Sequence, residues 1–482
     1  MSRLIVGPFN RVEGDLEVRL DVVEGRVKSA QVVSPLYRGF ETMLQGKDPH
    51  DALVIAPRIC GICSISQSIA AAQALSAVQG ITPLPNGKLV SNLVHATENL
   101  ADHLTHFYMF FMPDFTREIY ADKPWFTAIK TRFAATKGTA VAEMLPQRAE
   151  FLHIIGLLAG KWPHSLALQP GGVTRVVESH EVQHLLALLA GFRRYLQKHV
   201  FGGLLEDFSA LSTLSELHQW AMETRSDFAD FLQISRNLGL ENIGRAGDRF
   251  LSFGAYVNVF EKGHLFARGL SENGQVALLN TGLISEDISS AWMQGDSNPR
   301  HPFEGETIPD GEMQNGYTWC KAPRLEGKPA EVGALARQVV ANNPLALDMV
   351  AQNGGNVEAR IVARFIEIAL LIPAMEGWLV AIRPEEAFIT HGEIPRQAEG
   401  AGLVEAARGA LGHWLQVDDR KIKNYQIIAP TTWNFSPRDA NGVAGPLEQA
   451  LQGALVQSGE ADPVTVQHIV RSFDPCMVCT VH

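Results

Sequence analysis

Cysteine is scarce in this sequence: five in 482 residues, too few for the disulfide framework of a small secreted domain. Nor is there a run of lysine and arginine dense enough to hold nucleic acid. The formal net charge of −11 points the same way, because phosphate-binding surfaces are basic. No internal repeat and no low-complexity linker divides the chain. The opening Met1-Ser2-Arg3-Leu4-Ile5-Val6-Gly7-Pro8 has too short an apolar run for a secretory leader, so a cytoplasmic location is expected, any export signal being left to a partner subunit. Ile361 to Ile382 is long and apolar enough to cross a bilayer, but it carries Arg364, Glu367 and Glu376 with Pro373 in its middle. It is expected to be a buried core helix, kinked or broken near the proline, and no membrane span is expected.

What the chain does have is pairing. Four of the five cysteines stand as Cys60-Gly61-Ile62-Cys63 and Cys476-Met477-Val478-Cys479, near opposite ends. A structural zinc module gathers its pairs within roughly 15–20 residues, and a thioredoxin-like dithiol needs one pair beside a βαβ pattern. Neither context is present. Four thiolates drawn from both ends suggest a soft-metal site buried at the centre of a large domain. Zinc would use them as a clip, whereas a redox metal would use them as electron-rich ligands that can also take up protons. The fifth cysteine, Cys320, stands alone and reads as a buried structural thiol.

Periodicity supplies the frame. Residues 3–34 alternate around a Glu24-Gly25 turn, as an antiparallel hairpin does, and Arg11 and Glu13 fall in its loop or first strand. Residues 48–78 read as helical, capped by Asp48 or Asp51 and interrupted at Pro57 and Gly61, where the first cysteine pair lies. A long amphipathic helix spans 87–111; its His95, His103 and His106 read as core or surface residues, not ligands. Helices follow over 140–160, 178–200 and 212–238, strands between 250 and 276, and an irregular excursion over 285–328. Helices resume over 329–341, 356–382 and 405–411. The fold expected is mainly α (α+β): a large helical bundle with an N-terminal sheet and a β-containing middle region, as one interleaved domain over 1–482.

The pairs in context, Arg58-Ile59-Cys60-Gly61-Ile62-Cys63 and Asp474-Pro475-Cys476-Met477-Val478-Cys479-Thr480-Val481-His482, resemble the two signature motifs of the large subunit of nickel-iron hydrogenases. Further matches keep the family's order along nearly the whole chain: Arg11 to Gly14, Tyr37 to Glu41, Tyr317 to Trp319, Glu331 to Gly333, Glu405 to Leu411, and Pro430 to Asn434. The resemblance implies nickel held by Cys60, Cys63, Cys476 and Cys479. Cys63 and Cys479 would bridge to an iron that carries carbon monoxide and two cyanides, installed by maturation proteins. Dihydrogen would be split heterolytically, its proton passing from Cys476 to Glu13, and its electrons to an iron-sulfur small subunit. The resemblance further places Arg408 over the open metal position, pairs it with Asp114 and Asp474, and sets Thr431 on a cyanide. It also implies a magnesium-type ion held by Glu41, the carbonyl of Ile428 and His482.

Three departures resemble the hydrogen-sensing, or regulatory, subclass. Gln67 stands where energy-converting members usually have histidine, and Ile62 and Phe110 are bulkier than the valine and leucine common in an apolar gas passage. Ala407, where many members have proline, differs with no effect that we can derive. If the encoded chain stops at His482, it also lacks the removable tail of catalytic relatives, as sensors do. The leading expectation is therefore a dihydrogen sensor that signals through its small subunit to a histidine kinase. The alternatives are an energy-converting uptake enzyme and a non-enzymatic scaffold akin to quinone-reductase subunits; the four thiols argue against the scaffold.

Overall fold

A computed structural model describes residues 2–480 except 260, 297 and 458. The chain opens with an antiparallel sheet of β1 (Ser2–Val6), β2 (Glu17–Val23) and β3 (Arg26–Val33), in that order. Glu24 and Gly25 both have positive φ, 50° and 73°, the conformation that lets a two-residue turn match the strands' twist. Leu16, Val18, Leu20 and Ala30 are buried, while Glu17 and Arg19 on the other face pair with each other.

The helical core is built on α1 (Ser64–Gln79), α2 (Pro85–Thr105), α3 (Ala334–Val340), α4 (Val357–Ala381) and α5 (Val464–Ser472). α4 is buried almost all round its first four turns, as a helix enclosed by others must be. It packs on α2, α3 and α5, among others. Two of its charges are matched by neighbours: Arg360 bonds Glu331 at 2.7 Å and Glu367 bonds Arg337 at 2.6 Å. The expected buried core helix continues without a break through Pro373; packing on both sides outweighs the loss of one backbone hydrogen bond. Among the described residues no helix is long and apolar enough to cross a membrane.

The middle strands are β4 (Phe250–Val257) and β5 (His264–Glu272), and only short strands break the stretch after them. A second antiparallel sheet holds β6 (Gln397–Ala406), β7 (Gly409–Asp418) and β8 (Lys421–Ile428). The segment 405–411, expected to be helical, is instead the end of the β6–β7 hairpin, with Ala406 paired to Gly409 across a two-residue tip of Ala407 and Arg408. Seven residues make less than two helical turns, too little for periodicity to outweigh a strand ladder. β6 lies hard against α1: a β-carbon on Gly402 would come within 1.9 Å of the Ala70 carbonyl, so only glycine permits the approach. That contact fixes α1, and with it the first cysteine pair, against the hairpin that carries Arg408.

Candidate metal centre

The first pair occupies an irregular turn just before α1, with Cys63 as the residue preceding the helix. The amides of Ile65 and Ser66 at the start of α1 find their acceptor on another helix: Glu98 of α2 receives them at 2.8 and 3.0 Å. The same carboxylate accepts from the Ser66 hydroxyl and, at 3.0 Å, from the Trp162 indole. Glu98 thus caps in trans the helix that begins at the first cysteine pair.

The second pair is held by the other end of the chain. Glu13 and Cys476 form a parallel bridge, the Met477 amide donating to the Glu13 carbonyl at 2.7 Å. Gly14 has φ +80°, and a β-carbon there would meet the Val478 nitrogen at 3.0 Å, so glycine is required by both conformation and space. Arg38 clips the two loops together, donating to the carbonyls of Ile59 and Val478, each one residue before a cysteine. Thr431 receives the Cys476 amide at 3.1 Å.

Those anchors bring all four sulfurs within 4.8 Å of one another, and all four cysteines are buried. Cys60 lies 3.5 Å from Cys476, Cys63 lies 3.3 Å from Cys479, and Cys476 lies 3.0 Å from Cys479. These separations are well beyond a disulfide bond of about 2.05 Å, and the cysteines are free. Four buried thiols this close cannot ionise independently. Hydrogen bonds from Cys476, Cys479 and Cys63 hold Cys60 well below the ordinary thiol range, whereas Cys63 and Cys479 are pushed up. A soft divalent cation resolves the conflict by holding all four as thiolates, so the donor set fits the nickel-iron centre.

Above the sulfurs lies a buried canopy. Arg408, at the hairpin tip, donates to both oxygens of Asp102 at 2.7 and 3.2 Å, to the Asp474 carboxylate at 3.1 Å and to the Asp474 carbonyl at 2.9 Å. The expected partnership of Arg408 with Asp474 is present; that with Asp114 is not. Asp114 instead binds Arg471 of α5 at 2.7 and 2.9 Å, together with Arg11. Arg471 also donates to the Asn10 carbonyl at 2.8 Å, so Asp114 ties the loop carrying Glu13 to the helix leading into Cys476. Beyond His106 α2 passes into a π-turn over His106–Phe111, and Asp114, assigned by resemblance, lies past it in the short turn Met112–Thr116. Asp102 was open to detection: Glu98 and Asp102 stand at i, i+4, and buried carboxylates on one face of a core helix need partners.

The two canopy acids differ. Burial raises Asp102 to about 7, helped by negative Asp474 and Cys60. Asp474 is equally buried, but Arg408 and the basic side chains near it bring its carboxyl below the ordinary value. Glu13, half-buried beside the centre, is raised by burial and then by the negative field of Cys60.

The remaining expected residues lie as follows. Gln67 is buried in α1 with its oxygen 2.8 Å from His413 Nε2. Ile62 packs partly buried against the core. Phe110 is half-buried on the π-turn, where Phe111 is the ring that enters the core, against Phe115 and Phe231. Glu41 is buried in a polar nest, receiving the Ile427 amide at 2.8 Å and Lys321 at 3.1 Å. Ile428 ends β8 opposite Gly412. His482 lies outside the described residues. His103 and His106 are buried at 2.9 Å from Glu367 and 2.7 Å from the Arg471 carbonyl, as core histidines. Cys320 is a buried thiol pushed up by burial.

Comparison with known proteins agrees with this geometry. The family model described as nickel-dependent hydrogenase matches residues 38–129 and 139–482. The periplasmic [NiFeSe] hydrogenase large subunit of Desulfomicrobium baculatum is 30% identical, the match covering all of this chain and 95% of that one. The quinone-reactive Ni/Fe-hydrogenase large chain of Wolinella succinogenes is 29% identical over all of this chain and 96% of its own. The Ni-Fe-Se hydrogenase of Desulfovibrio vulgaris Hildenborough, solved in its reduced state, superposes with a TM-score of 0.86 at 28% identity, with both chains fully covered. The chain belongs to the nickel-dependent hydrogenases and is a hydrogenase large subunit.

Proposed function

We propose that this chain is the large subunit of a hydrogen-oxidising uptake enzyme that delivers electrons to an iron-sulfur small subunit. The observation that carries the reading is the meeting of four buried thiols under the Arg408 canopy, with Glu13 paired by backbone to Cys476. Cys60, Cys63, Cys476 and Cys479 would hold the nickel-iron centre, which supplies heterolytic cleavage of dihydrogen when bound. Arg408, committed to Asp102 and Asp474, is a fixed cation beside the sulfurs that stabilises negative charge without reorganising. Cys476 is the candidate first proton acceptor. Glu13, its carboxyl raised by burial and half-buried beside the centre, is the candidate to take that proton next and pass it toward solvent.

The curated relatives named above are not called sensors, and one is called quinone-reactive, which favours uptake. A second reading, dihydrogen sensing through a histidine kinase, is favoured by Gln67, which is buried on the helix that starts at the first cysteine pair. One experiment separates them: infrared spectra of the matured protein under argon and under dihydrogen, together with hydrogen-dependent dye reduction. Cyanide and carbon monoxide bands that shift with dihydrogen, with brisk turnover, support uptake. The same shifts with slow turnover favour sensing, and no bands in matured protein would remove both.

A further inference from the structure

A second cavity of about 440 Å³ opens between α1, α2, β4, β5 and β6, away from the sulfurs. Its walls are largely apolar, among them Ile69, Ile81 and Leu403. Four basic side chains line it, Lys88, His95, His264 and Arg268, with Arg268 exposed. His95 is 5% exposed, lies against Tyr256 with ring centroids 5.4 Å apart, and its buried Nε2 has no hydrogen-bond partner among the described residues. No described carboxylate pairs with Arg268, whose charge is disfavoured by desolvation alone. One carboxylate, Glu405, lines the cavity, and it is committed elsewhere: it accepts the Phe253 amide at 2.7 Å and Arg337 at 3.0 Å. β4 also bends to shape the wall. Gly254 has φ +84° and drops out of the ladder with β5, which brings His264 so close that a β-carbon on Gly254 would lie 2.8 Å from its Nδ1.

A largely apolar cavity lined by basic side chains, whose one carboxylate is already committed, suits an amphipathic anion. Leaving a buried imidazole nitrogen unpaired costs on the order of 1–3 kcal/mol, a cost that a ligand hydrogen-bonding group would remove. A planar guanidinium matches a carboxylate two bonds at a time. We propose that this cavity binds a small organic carboxylate with an apolar or aromatic body, the carboxylate meeting Arg268 and the body lying against His95, Ile69, Ile81 and Leu403. The site is separate from the metal centre, so the proposal stands independently of the uptake reading.

The test is isothermal titration of the protein in its as-isolated assembly with 1-naphthoate, 1-naphthyl phosphate and neutral 1-naphthalenemethanol. The naphthoate should bind, the alcohol at least about tenfold more weakly, which is the loss of one good charged contact. Arg268→Gln should weaken the naphthoate by a similar factor and Arg268→Lys by less. Hydrogen-dependent dye reduction should be unchanged in Arg268→Gln. Equal affinity for acid and alcohol, tighter binding of the phosphate, undiminished binding in Arg268→Gln, or no binding to the intact assembly would each overturn the assignment.

Discussion

The two cysteine pairs have the same spacing and opposite supports. Cys60 and Cys63 depend on a helix start, fixed by one buried carboxylate, Glu98, that reaches across from α2. Cys476 and Cys479 depend on backbone: a parallel bridge to Glu13, a threonine hydroxyl and the approach of Gly14. The first pair therefore rests on one carboxyl group, which can be removed in one substitution. The second rests on several neutral contacts, each worth less. Arg38, bonded to a carbonyl in both loops, is the direct link between the two supports.

The largest effect is expected at Glu98. Glu98→Ala leaves two amides, a hydroxyl and an indole without a buried acceptor, a cost of roughly 3–5 kcal/mol. Nickel bound per chain should fall to a small fraction of wild type, as measured by metal analysis of matured protein. Glu98→Gln keeps an acceptor for the amides and should retain most of the metal. Full nickel in Glu98→Ala would mean that the first pair is positioned by its own loop.

The canopy sharpens the contrast through pH. Asp102 goes from an ordinary 3.8 to about 7 on folding, so between those values the folded chain keeps a proton that the unfolded chain has released. Its stabilising contribution is whole below 3.8 and is lost as pH rises through about 7, a swing of up to ~4 kcal/mol. Asp474, shifted down, contributes in the opposite sense: its stabilisation is present above the ordinary carboxyl value and is lost as pH falls through its lowered one. Thermal midpoints between pH 4 and 8 should therefore decline less steeply in Asp102→Asn than in wild type, whereas Asp474→Asn should leave that decline in place. A decline equally steep in Asp102→Asn would place the titration on other buried acids.

Gly14→Ala tests the backbone support. The new methyl would strain a positive φ and press on Val478, costing about 2 kcal/mol. Because the strain falls between Glu13 and the second pair, hydrogen–deuterium exchange activity should drop more than nickel content does. Equal losses of both would mean that the loop serves metal retention alone.

How far the sequence disclosed this site depends on where its chemistry is local. Each cysteine pair is a unit of four residues with its geometry inside it, and Glu13 stands in a short motif, so these were legible. The long helices were legible too, because an enclosed helix such as α4 must be apolar on every face. Contacts between distant segments were not. Glu98 and Asp102 show by their i, i+4 spacing that they need partners, but which partners, an amide pair and a guanidinium, is set only by the fold. Asp114 resembled the canopy acid by motif, but its carboxylate binds Arg471, and Asp102 takes the place beside Arg408. Arg408 was read from its motif while its segment was taken for helix, because a hairpin tip of two residues leaves no periodic trace.

The smallest effect is expected at Thr431, whose hydroxyl receives the Cys476 amide at 3.1 Å. Thr431→Val keeps the shape and removes the acceptor, leaving a buried amide unpaired at a cost of about 1 kcal/mol. Thr431→Ser restores the acceptor and loses only a methyl group. If the second pair rests on many small contacts, Thr431→Val should hold near-normal nickel and show a thermal midpoint lowered by a few degrees, with Thr431→Ser between it and wild type. Loss of nickel in Thr431→Val as complete as in Glu98→Ala would show one contact carrying the second pair as one carboxylate carries the first, and the asymmetry between the two supports would disappear.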